Sequence, residues 1–214
     1  MTSIQDIKIE SCPLCNNDGE VFHKKAFYRC KSCDSIFKAA ISLPDRAEEK
    51  EKYDLHNNDV NDVRYQQFVS PITNAVQRDY PTRSIGLDFG SGPGPVISKV
   101  LQDKGYTLKQ FDPFFNNVPE VLEDKYDYIV CCEVIEHFHS PAKEFELLRS
   151  MLKPNGHLYC MTHLYSDDID FNAWYYKNDP THVFFYNPKS LQLIKNKNEF
   201  SSLLIEDRLI TYRG

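Results

Sequence analysis

The segment from Leu87 to Pro95 (LDFGSGPGP) constrains the fold more than any other part of the sequence, because it joins a strand to a helix through three glycines. Ser84–Phe89 is an apolar run typical of a buried strand, and Val96–Lys104 has the apolar spacing of a helix. Glycines lack a Cβ atom, so the chain can turn tightly and a ligand can approach the backbone. The pattern predicts a ligand site at the end of a parallel strand. The alternative is an ordinary strand-to-helix turn.

Strands and helices alternate through the rest of residues 81–214. Further strands are predicted at Tyr106–Phe111, Tyr126–Cys132, His157–Thr162, 202–206 and 209–212, and helices at Ala142–Leu152 and Pro188–Lys197. Pro154–Gly156 is expected to be a turn into the following strand. Near-continuous apolar strands separated by helices indicate an α/β fold with a mostly parallel sheet that is covered on both faces.

Two aspartates near the glycines indicate a nucleoside ligand. Asp112 ends the next strand, where a carboxylate can accept hydrogen bonds from both ribose hydroxyls, unless it is simply solvated. Asp88 precedes the glycines and would repel a phosphate but attract a sulfonium and an amino group. Pro93 and Pro95 remove backbone donors that a pyrophosphate would need. These features favour S-adenosylmethionine over a dinucleotide.

Four motifs in this order resemble class I S-adenosylmethionine-dependent methyltransferases, most closely the ubiquinone-biosynthesis-type O-methyltransferases. They are LDFGSGPG at 87–94, FDP at 111–113, YDYIVCCEVIEHF at 126–138 and LKPNGHL at 152–158. The resemblance implies a Rossmann-like sheet whose last strand is antiparallel. It also implies that the glycines line the methionine part of the cofactor, that Asp112 binds the ribose and that Glu133 and Val134 flank the cofactor. The cofactor-binding residues expected on this basis are Asp88, Gly90, Ser91, Gly92, Gly94, Asp112, Pro113, Phe114, Glu133 and Val134.

The sequence departs from that family between the second strand and Tyr126. Only Pro113–Lys125 separates them, whereas the family usually has a helix, a third strand and an acidic residue that reads the adenine amino group. We therefore expect a sheet that is shortened around strand 3. Phe114 or Phe115 can stack on adenine instead, and the alternative is that both pack in the core.

Four cysteines near the N-terminus indicate a metal site. Cys12 and Cys15 form one pair and Cys30 and Cys33 a second, with two residues inside each pair. This spacing lets four thiolates hold a structural Zn²⁺ ion, and the alternative is reduced cysteines in a hairpin that has too little core to fold alone. The segment resembles a zinc ribbon, a module that precedes certain ribosomal RNA and deoxysugar methyltransferase domains and also serves in protein docking. His23, between the pairs, is expected at the surface.

The chain divides into three predicted parts. Residues 1–42 form the zinc ribbon with hairpin strands at Phe27–Cys30 and Ile36–Lys38, residues 43–80 form a helical connector, and residues 81–214 form the S-adenosylmethionine-dependent methyltransferase domain. In the connector, a helix is expected at Pro44–Lys52 and a second one after a turn-rich break. Pro71 either kinks that second helix or begins a new one after Ser70.

A base for methyl transfer is predicted at His182. It lies in a long aromatic loop, 174–186, where related enzymes build the acceptor pocket. The alternative is that the aromatic residues pack the loop onto the sheet while His182 bonds a backbone carbonyl. For His137 and His139 the structural interpretation is favoured. Tyr53 and His56 in the connector either cap the cofactor or belong to a solvated linker.

Charge and hydropathy limit the partners. The formal net charge of −6 argues against a general nucleic-acid binder, and no run approaches the roughly 18 apolar residues of a membrane helix. The first ten residues lack a signal-peptide pattern, which predicts a cytoplasmic protein. The leading hypothesis is a methyltransferase acting on a small molecule. The alternatives are an RNA or protein methyltransferase that docks through its ribbon, and a non-catalytic zinc-ribbon adaptor; the oligomeric state stays open.

Overall fold

The computed structural model describes residues 10–55 and 58–214. The N-terminal strands are β1 (Glu10–Ser11), β2 (Asp18–His23), β3 (Phe27–Cys30) and β4 (Ile36–Lys38). The connector helices are α1 (Arg46–Asp54), α2 (Val63–Phe68) and α3 (Ser70–Asp79). The remaining elements are β5 (Ile85–Phe89), α4 (Val96–Gln102), β6 (Thr107–Phe111), β7 (Tyr126–Cys132), α5 (Pro141–Met151), β8 (Leu152–Met161), β9 (Phe184–Phe185), α6 (Pro188–Lys197), β10 (Ser202–Glu206) and β11 (Leu209–Arg213).

A six-stranded sheet in the order β10-β11-β8-β7-β5-β6 forms the centre of the molecule. The four strands from β6 to β8 pair in parallel, whereas β11 runs antiparallel to β8 and β10 antiparallel to β11. Apolar residues such as Leu87, Ile129 and Leu158 are fully buried along the central strands. The predicted α/β sheet, mostly parallel with an antiparallel last strand, is confirmed.

The predicted shortening around strand 3 is also confirmed. β6 is the edge of this sheet in the described part of the chain, so a single strand lies outside β5 on this side. The segment between β6 and β7 contains a bridge between Asp112 and Asn116 and a short 3-10 helix, Pro119–Glu123. The carboxyl edge of the sheet is therefore more open on this side.

The N-terminal strands form a second, antiparallel sheet in the order β1-β2-β3-β4-β9. Its last strand, β9, comes from the aromatic loop that follows β8, and Phe37 pairs with Phe184. One apolar cluster contains Leu14 and Phe37 from the N-terminal part together with Phe184 and Leu191. The N-terminal module therefore packs directly against the loop that the sequence analysis proposed for the acceptor pocket. The boundaries at residues 42 and 80 remain a prediction.

The connector is helical, as predicted, and Pro71 begins a new helix. α1 starts after Asp45, whose side chain accepts hydrogen bonds from the backbone N–H groups of Ala47 and Glu48. Val69 ends α2 and precedes α3, in which Pro71 stands in the first turn, where its missing N–H costs nothing. His56, suggested above as a cap for the cofactor, lies outside the described residues.

The predicted turn at Pro154–Gly156 is instead an irregularity within one strand. β8 begins at Leu152, opposite Tyr126 of β7, and the pairing resumes at His157 opposite Tyr128. The extra residues bulge out of the ladder with Asn155 at a φ of 62°. The bulge keeps the chain in the same sheet because Leu152 is already paired before it.

The helices of the described residues are short. The longest, α5, has 11 residues, and none in residues 10–55 and 58–214 is long and apolar enough to cross a membrane.

Candidate functional site

The glycine turn between β5 and α4 is packed too closely for side chains. Gly90 has a φ of 76°, and a Cβ atom there would lie 2.4 Å from Cγ2 of Val134. At Gly94 a Cβ atom would lie 1.9 Å from the carbonyl oxygen of Asn58 in the connector. The turn is therefore enclosed by the loop after β7 on one side and by the connector on the other.

Asp112, at the end of β6, is tied to the glycine turn. Its Oδ2 accepts a hydrogen bond from the Gly92 N–H at 2.9 Å. Its Oδ1 accepts from the N–H groups of Phe114 at 2.8 Å and Phe115 at 3.0 Å. Since an ionised carboxylate offers about four acceptor positions, at least one is left for a ligand.

Asp88 lies beneath the same turn and is 4% exposed. Its Oδ2 accepts a hydrogen bond from the Ser98 hydroxyl at 2.7 Å. Burial raises the pKa of Asp88 to about 6, because removing the carboxylate from water disfavours its charged form.

A cavity of about 460 Å³ opens over this carboxyl edge of the sheet. Of the ten predicted cofactor-binding residues, nine line it: Asp88, Gly90, Ser91, Gly92, Gly94, Asp112, Pro113, Phe114 and Val134. Phe114 and Phe115 are half-buried at its rim, where Arg46 lies 4.7 Å from the Phe114 ring centroid and Lys50 lies 4.9 Å from that of Phe115. The cavity is large enough for a nucleoside-sized ligand.

Glu133 is the predicted cofactor residue that does not line the cavity. It takes a φ of 52° directly after β7, and its side chain points toward the aromatic loop. Its Oε1 lies 2.5 Å from Nη2 of Arg208, and its Oε2 lies 3.2 Å from the Tyr176 hydroxyl. Burial, and then the nearby Glu136, raises the pKa of Glu133 to about 7.

The connector supplies a wall of the cavity, of which the sequence analysis had named Tyr53 alone among the described residues. Arg46, Glu49 and Tyr53 of α1 line it, together with Asn58, Tyr65 and Val69. The three α1 residues are spaced at i, i+3 and i+7, so one face of this otherwise polar helix covers the site. That spacing was the sequence signal for a helix face that covers a site, but the charged residues around it are equally typical of a solvated helix.

A second missed group comes from the segment that follows β7. Phe138, His139, Glu144 and Leu147 line the cavity, the last two from α5. His139 Nε2 lies 3.1 Å from Oε1 of Glu49. The sequence carried no signal for Glu144, because an acidic residue in the first turn of a helix is common for reasons of capping alone.

His182 lies behind the cavity, next to His137, which lines it. The two ring centroids are 4.8 Å apart. His182 Nδ1 lies 2.7 Å from the Tyr176 carbonyl oxygen and His137 Nδ1 lies 2.9 Å from that of Thr181. Because a carbonyl only accepts, both Nδ1 atoms carry a proton. Burial lowers the pKa of His182 to about 4, so it is neutral at pH 7.

Glu136 completes a cluster with these two histidines. One ligand atom from each of Glu136, His137 and His182 lies within 4.8 Å of the others. Glu136 is fully buried; its Oε1 lies 2.5 Å from the Tyr176 hydroxyl, and its Oε2 makes no hydrogen bond with the described residues. A carboxylate and two imidazole nitrogens can hold a divalent cation or receive a proton.

The four N-terminal cysteines converge as the sequence predicted. Their sulfur atoms lie within 4.8 Å of one another, with Cys12 and Cys33 at 3.7 Å and Cys15 and Cys30 at 3.4 Å. Four thiolates at about 2.3 Å from one Zn²⁺ ion would be roughly 3.8 Å apart, so the arrangement fits zinc. Asn16 and Asp34, directly after each pair, take left-handed φ values of 60° and 59°, which these residue types tolerate.

A family model described as "Methyltransferase domain" matches residues 61–203. Curated relatives include the ubiquinone biosynthesis O-methyltransferases of Photobacterium profundum, 31% identical over 77 residues, and Aliivibrio fischeri, 30% identical over 78 residues. Each alignment covers 36% of this chain and 33% of the relative, so the match spans about a third of those proteins.

Solved structures show the same fold at low identity. Human N-acetylserotonin methyltransferase in complex with SAM aligns with a TM-score of 0.51 and 12% identity, over 70% of this chain and 53% of that one. TnmH aligns with a TM-score of 0.50 and 14% identity, over 71% of this chain and 56% of that one. At this identity the likeness concerns the fold alone.

Proposed function

Since the chain belongs to the methyltransferase-domain family, whose model matches residues 61–203, we propose that it transfers the methyl group of S-adenosylmethionine to a small molecule. The observation that carries the proposal is the cavity in which the glycine turn and Asp112 meet, joined by the hydrogen bond from the Gly92 N–H. Bare glycine backbone beside a carboxylate with a spare acceptor position suits a nucleoside that carries an amino-acid tail.

The residues of the cavity bind and orient the methyl donor. S-adenosylmethionine supplies a methyl group that is activated by a positively charged sulfur. Gly90 and Gly92 leave room for its methionine part, and Asp112 accepts from the ribose. The carboxylate of Asp88 attracts the sulfonium and the amino group.

A proton acceptor is needed when the methyl acceptor is a hydroxyl. His137 lines the cavity and His182 lies behind it, so the proposal assigns proton removal to the pair, with Glu136 beside them.

Replacing either histidine by alanine should lower kcat by about a hundredfold or more. S-adenosylmethionine affinity should fall far less than kcat, because the glycine turn and the two aspartates, rather than the histidines, are assigned to the donor. His163→Ala is the control, since His163 contacts Tyr175 of the same loop. An unchanged kcat in both variants would reject this assignment.

Cofactor binding is the first test of the function. Calorimetry should detect S-adenosylmethionine binding to the full chain, and Asp112→Ala should weaken it by about tenfold or more, the scale of a hydrogen bond to a charged group. Asp103→Ala is the matched control, because Asp103 is exposed and pairs with Lys99. Failure of the wild-type chain to bind the cofactor would refute the proposal and favour the adaptor alternative.

The acceptor class is tested by methyl transfer. The curated relatives are named for O-methylation in ubiquinone biosynthesis, and the net charge of −6 opposes RNA binding; both support a small hydroxylated acceptor. Radiolabelled methyl groups should appear on members of a panel of phenols and catechols. Transfer only to bulk RNA or to a protein would favour docking of a polymer through the ribbon instead.

The four-cysteine centre supports a structural zinc ion, and with it a reducing, cytoplasmic compartment. All seven cysteines lie in the described residues and none forms a disulfide. Elemental analysis of protein purified without chelators should find about one zinc per chain. Less than about half an equivalent would refute the zinc site.

A further inference from the structure

Four carboxylates line the cavity, and Glu144 is distinct among them. Asp88 accepts from Ser98, Asp112 accepts from three backbone N–H groups, and Oε1 of Glu49 lies 3.1 Å from Nε2 of His139. The carboxylate of Glu144 makes no hydrogen bond or ion pair with any residue of the described ranges, although it is half-buried. Burial alone raises the pKa of Glu144.

The cavity that Glu144 lines has an aromatic part. Phe89, Phe111 and Phe138 line the same cavity; the Phe89 ring centroid lies 5.4 Å from that of Phe111 and 6.3 Å from that of Phe138. Leu147, one turn after Glu144 on α5, also faces the cavity. Such a pocket suits a flat ring with one hydrogen-bond donor at its edge.

Asp112 and the aromatic residues lie in one cavity. Phe111 directly precedes Asp112 and both line the cavity, so a base attached to a ribose at Asp112 would have aromatic rings within reach. Because β6 is the edge strand in the described part of the chain, no further strand covers this side of the sheet. Of the four carboxylates that line the cavity, that of Glu144 is the one supplied by α5.

We propose that Glu144 reads the adenine ring of the methyl donor by accepting a hydrogen bond from its exocyclic amino group. The inference rests on the function proposed above and adds a specificity-determining residue to it. A carboxylate that is partly withdrawn from water gains most from a donor that arrives with the ligand. Hypoxanthine, which presents a carbonyl oxygen in place of the amino group, would meet the carboxylate with repulsion.

A purely structural role for Glu144 predicts something different. In the first turn of α5, a negative charge stabilises the helix whatever the cavity contains. Replacing Glu144 would then change the stability of the protein but not its preference between two bases. The test must therefore compare ligands within each variant.

The experiment measures the affinity of the full chain for S-adenosylhomocysteine and for S-inosylhomocysteine by calorimetry. The wild-type chain should prefer the adenine ligand by at least about tenfold, the scale of one charge-assisted hydrogen bond. Glu144→Gln should lower the affinity for S-adenosylhomocysteine by about tenfold. The affinities for the two ligands should then lie within roughly threefold of each other, because the amide can donate to the hypoxanthine oxygen. Glu146→Gln, on the exposed face of α5, should keep the wild-type ratio.

Each outcome decides the inference. If Glu144→Gln loses affinity equally for both ligands, or for neither, the role of Glu144 would be overturned. The proposed function would stay intact. Failure of the wild-type chain to bind S-adenosylhomocysteine would overturn the proposed function and this inference together. If Glu144→Gln unfolds at the assay temperature, Glu144→Asp replaces it. The shorter side chain withdraws the carboxylate, so only the affinity for the adenine ligand should fall. An equal loss of affinity for both ligands would again overturn the inference.

Discussion

Asp88 and Asp112 lie on neighbouring parallel strands, but their carboxylates meet different surroundings. Asp112 accepts hydrogen bonds from three backbone N–H groups and stands at the cavity surface. Asp88 is 4% exposed and accepts one hydrogen bond from the Ser98 hydroxyl, and burial raises its pKa to about 6. Two residues of one type therefore receive different hydrogen-bond support.

The affinity for S-adenosylmethionine should rise with pH through the titration of Asp88. Below pH 6 the carboxyl group is mostly neutral, and above it the ionised form attracts the cationic ligand. The gain between pH 5 and pH 7.5 should be up to about tenfold, the change in the ionised fraction. Calorimetry over this range measures it.

The control for this prediction is Asp88→Asn, in which the dependence should disappear. Because the folded pKa lies above the unfolded value of about 3.9, the free energy of unfolding of the ligand-free protein should also fall as pH rises from about 4 to 6. A pH dependence of affinity that persists in Asp88→Asn would assign it to another group.

At the scale of elements, α1 has an unusual position. It contributes no buried residue, yet Arg46, Glu49 and Tyr53 line the cavity. Its start depends on a capping box, in which Asp45 accepts from two backbone N–H groups and Glu48 accepts from the Asp45 N–H. The helix is therefore held by its cap and by cavity contacts more than by core packing.

Removing this cap with Asp45→Ala should weaken α1 by about 1 kcal/mol. S-adenosylmethionine affinity should fall several-fold, while the midpoint of global unfolding changes little because α1 adds nothing to the core. Calorimetry and urea denaturation measure the two effects. Glu51→Ala, on the exposed face of α1, is the control. A large loss of global stability would contradict this account.

At the scale of the whole molecule, the N-terminal module and the central sheet share one core. Leu14 and Phe37 belong to the same apolar cluster as Leu158 and Phe184. β9 extends the N-terminal sheet, and polar contacts cross the same boundary, such as the one from the Asn187 side-chain amide to the Cys33 carbonyl. We therefore expect both parts to unfold together.

Chelation of zinc should lower the stability of the entire chain. The ion binds the folded cysteines far better than the unfolded ones, and the shared core transmits the loss. Urea unfolding should move to lower midpoints with coincident transitions in far-UV circular dichroism and in the fluorescence of Trp174, the single tryptophan. Added zinc should restore the original midpoint. Two separate transitions, with the central sheet unaffected by chelation, would refute this coupling.

The cysteine pairs, the glycine turn and most helix and strand positions followed from the sequence, because each depends on local chemistry. Thiolate spacing sets a tetrahedral site, glycines permit close approach and apolar periodicity distinguishes strands from helices. β7 and α6 were predicted at their observed bounds. The turn predicted at Pro154–Gly156 was wrong because turn residues cannot reveal that Leu152 is already paired.

Tertiary structure alone decided how these pieces meet. It turned Glu133 toward Arg208, brought His137 to the cavity in front of His182, and set α1 and Glu144 at the cavity wall. These placements depend on contacts between residues far apart in the chain. Charged and histidine side chains suit a solvated surface and a binding site equally well, so the sequence could identify the glycine turn as a ligand site but not the walls that α1 and α5 add to it.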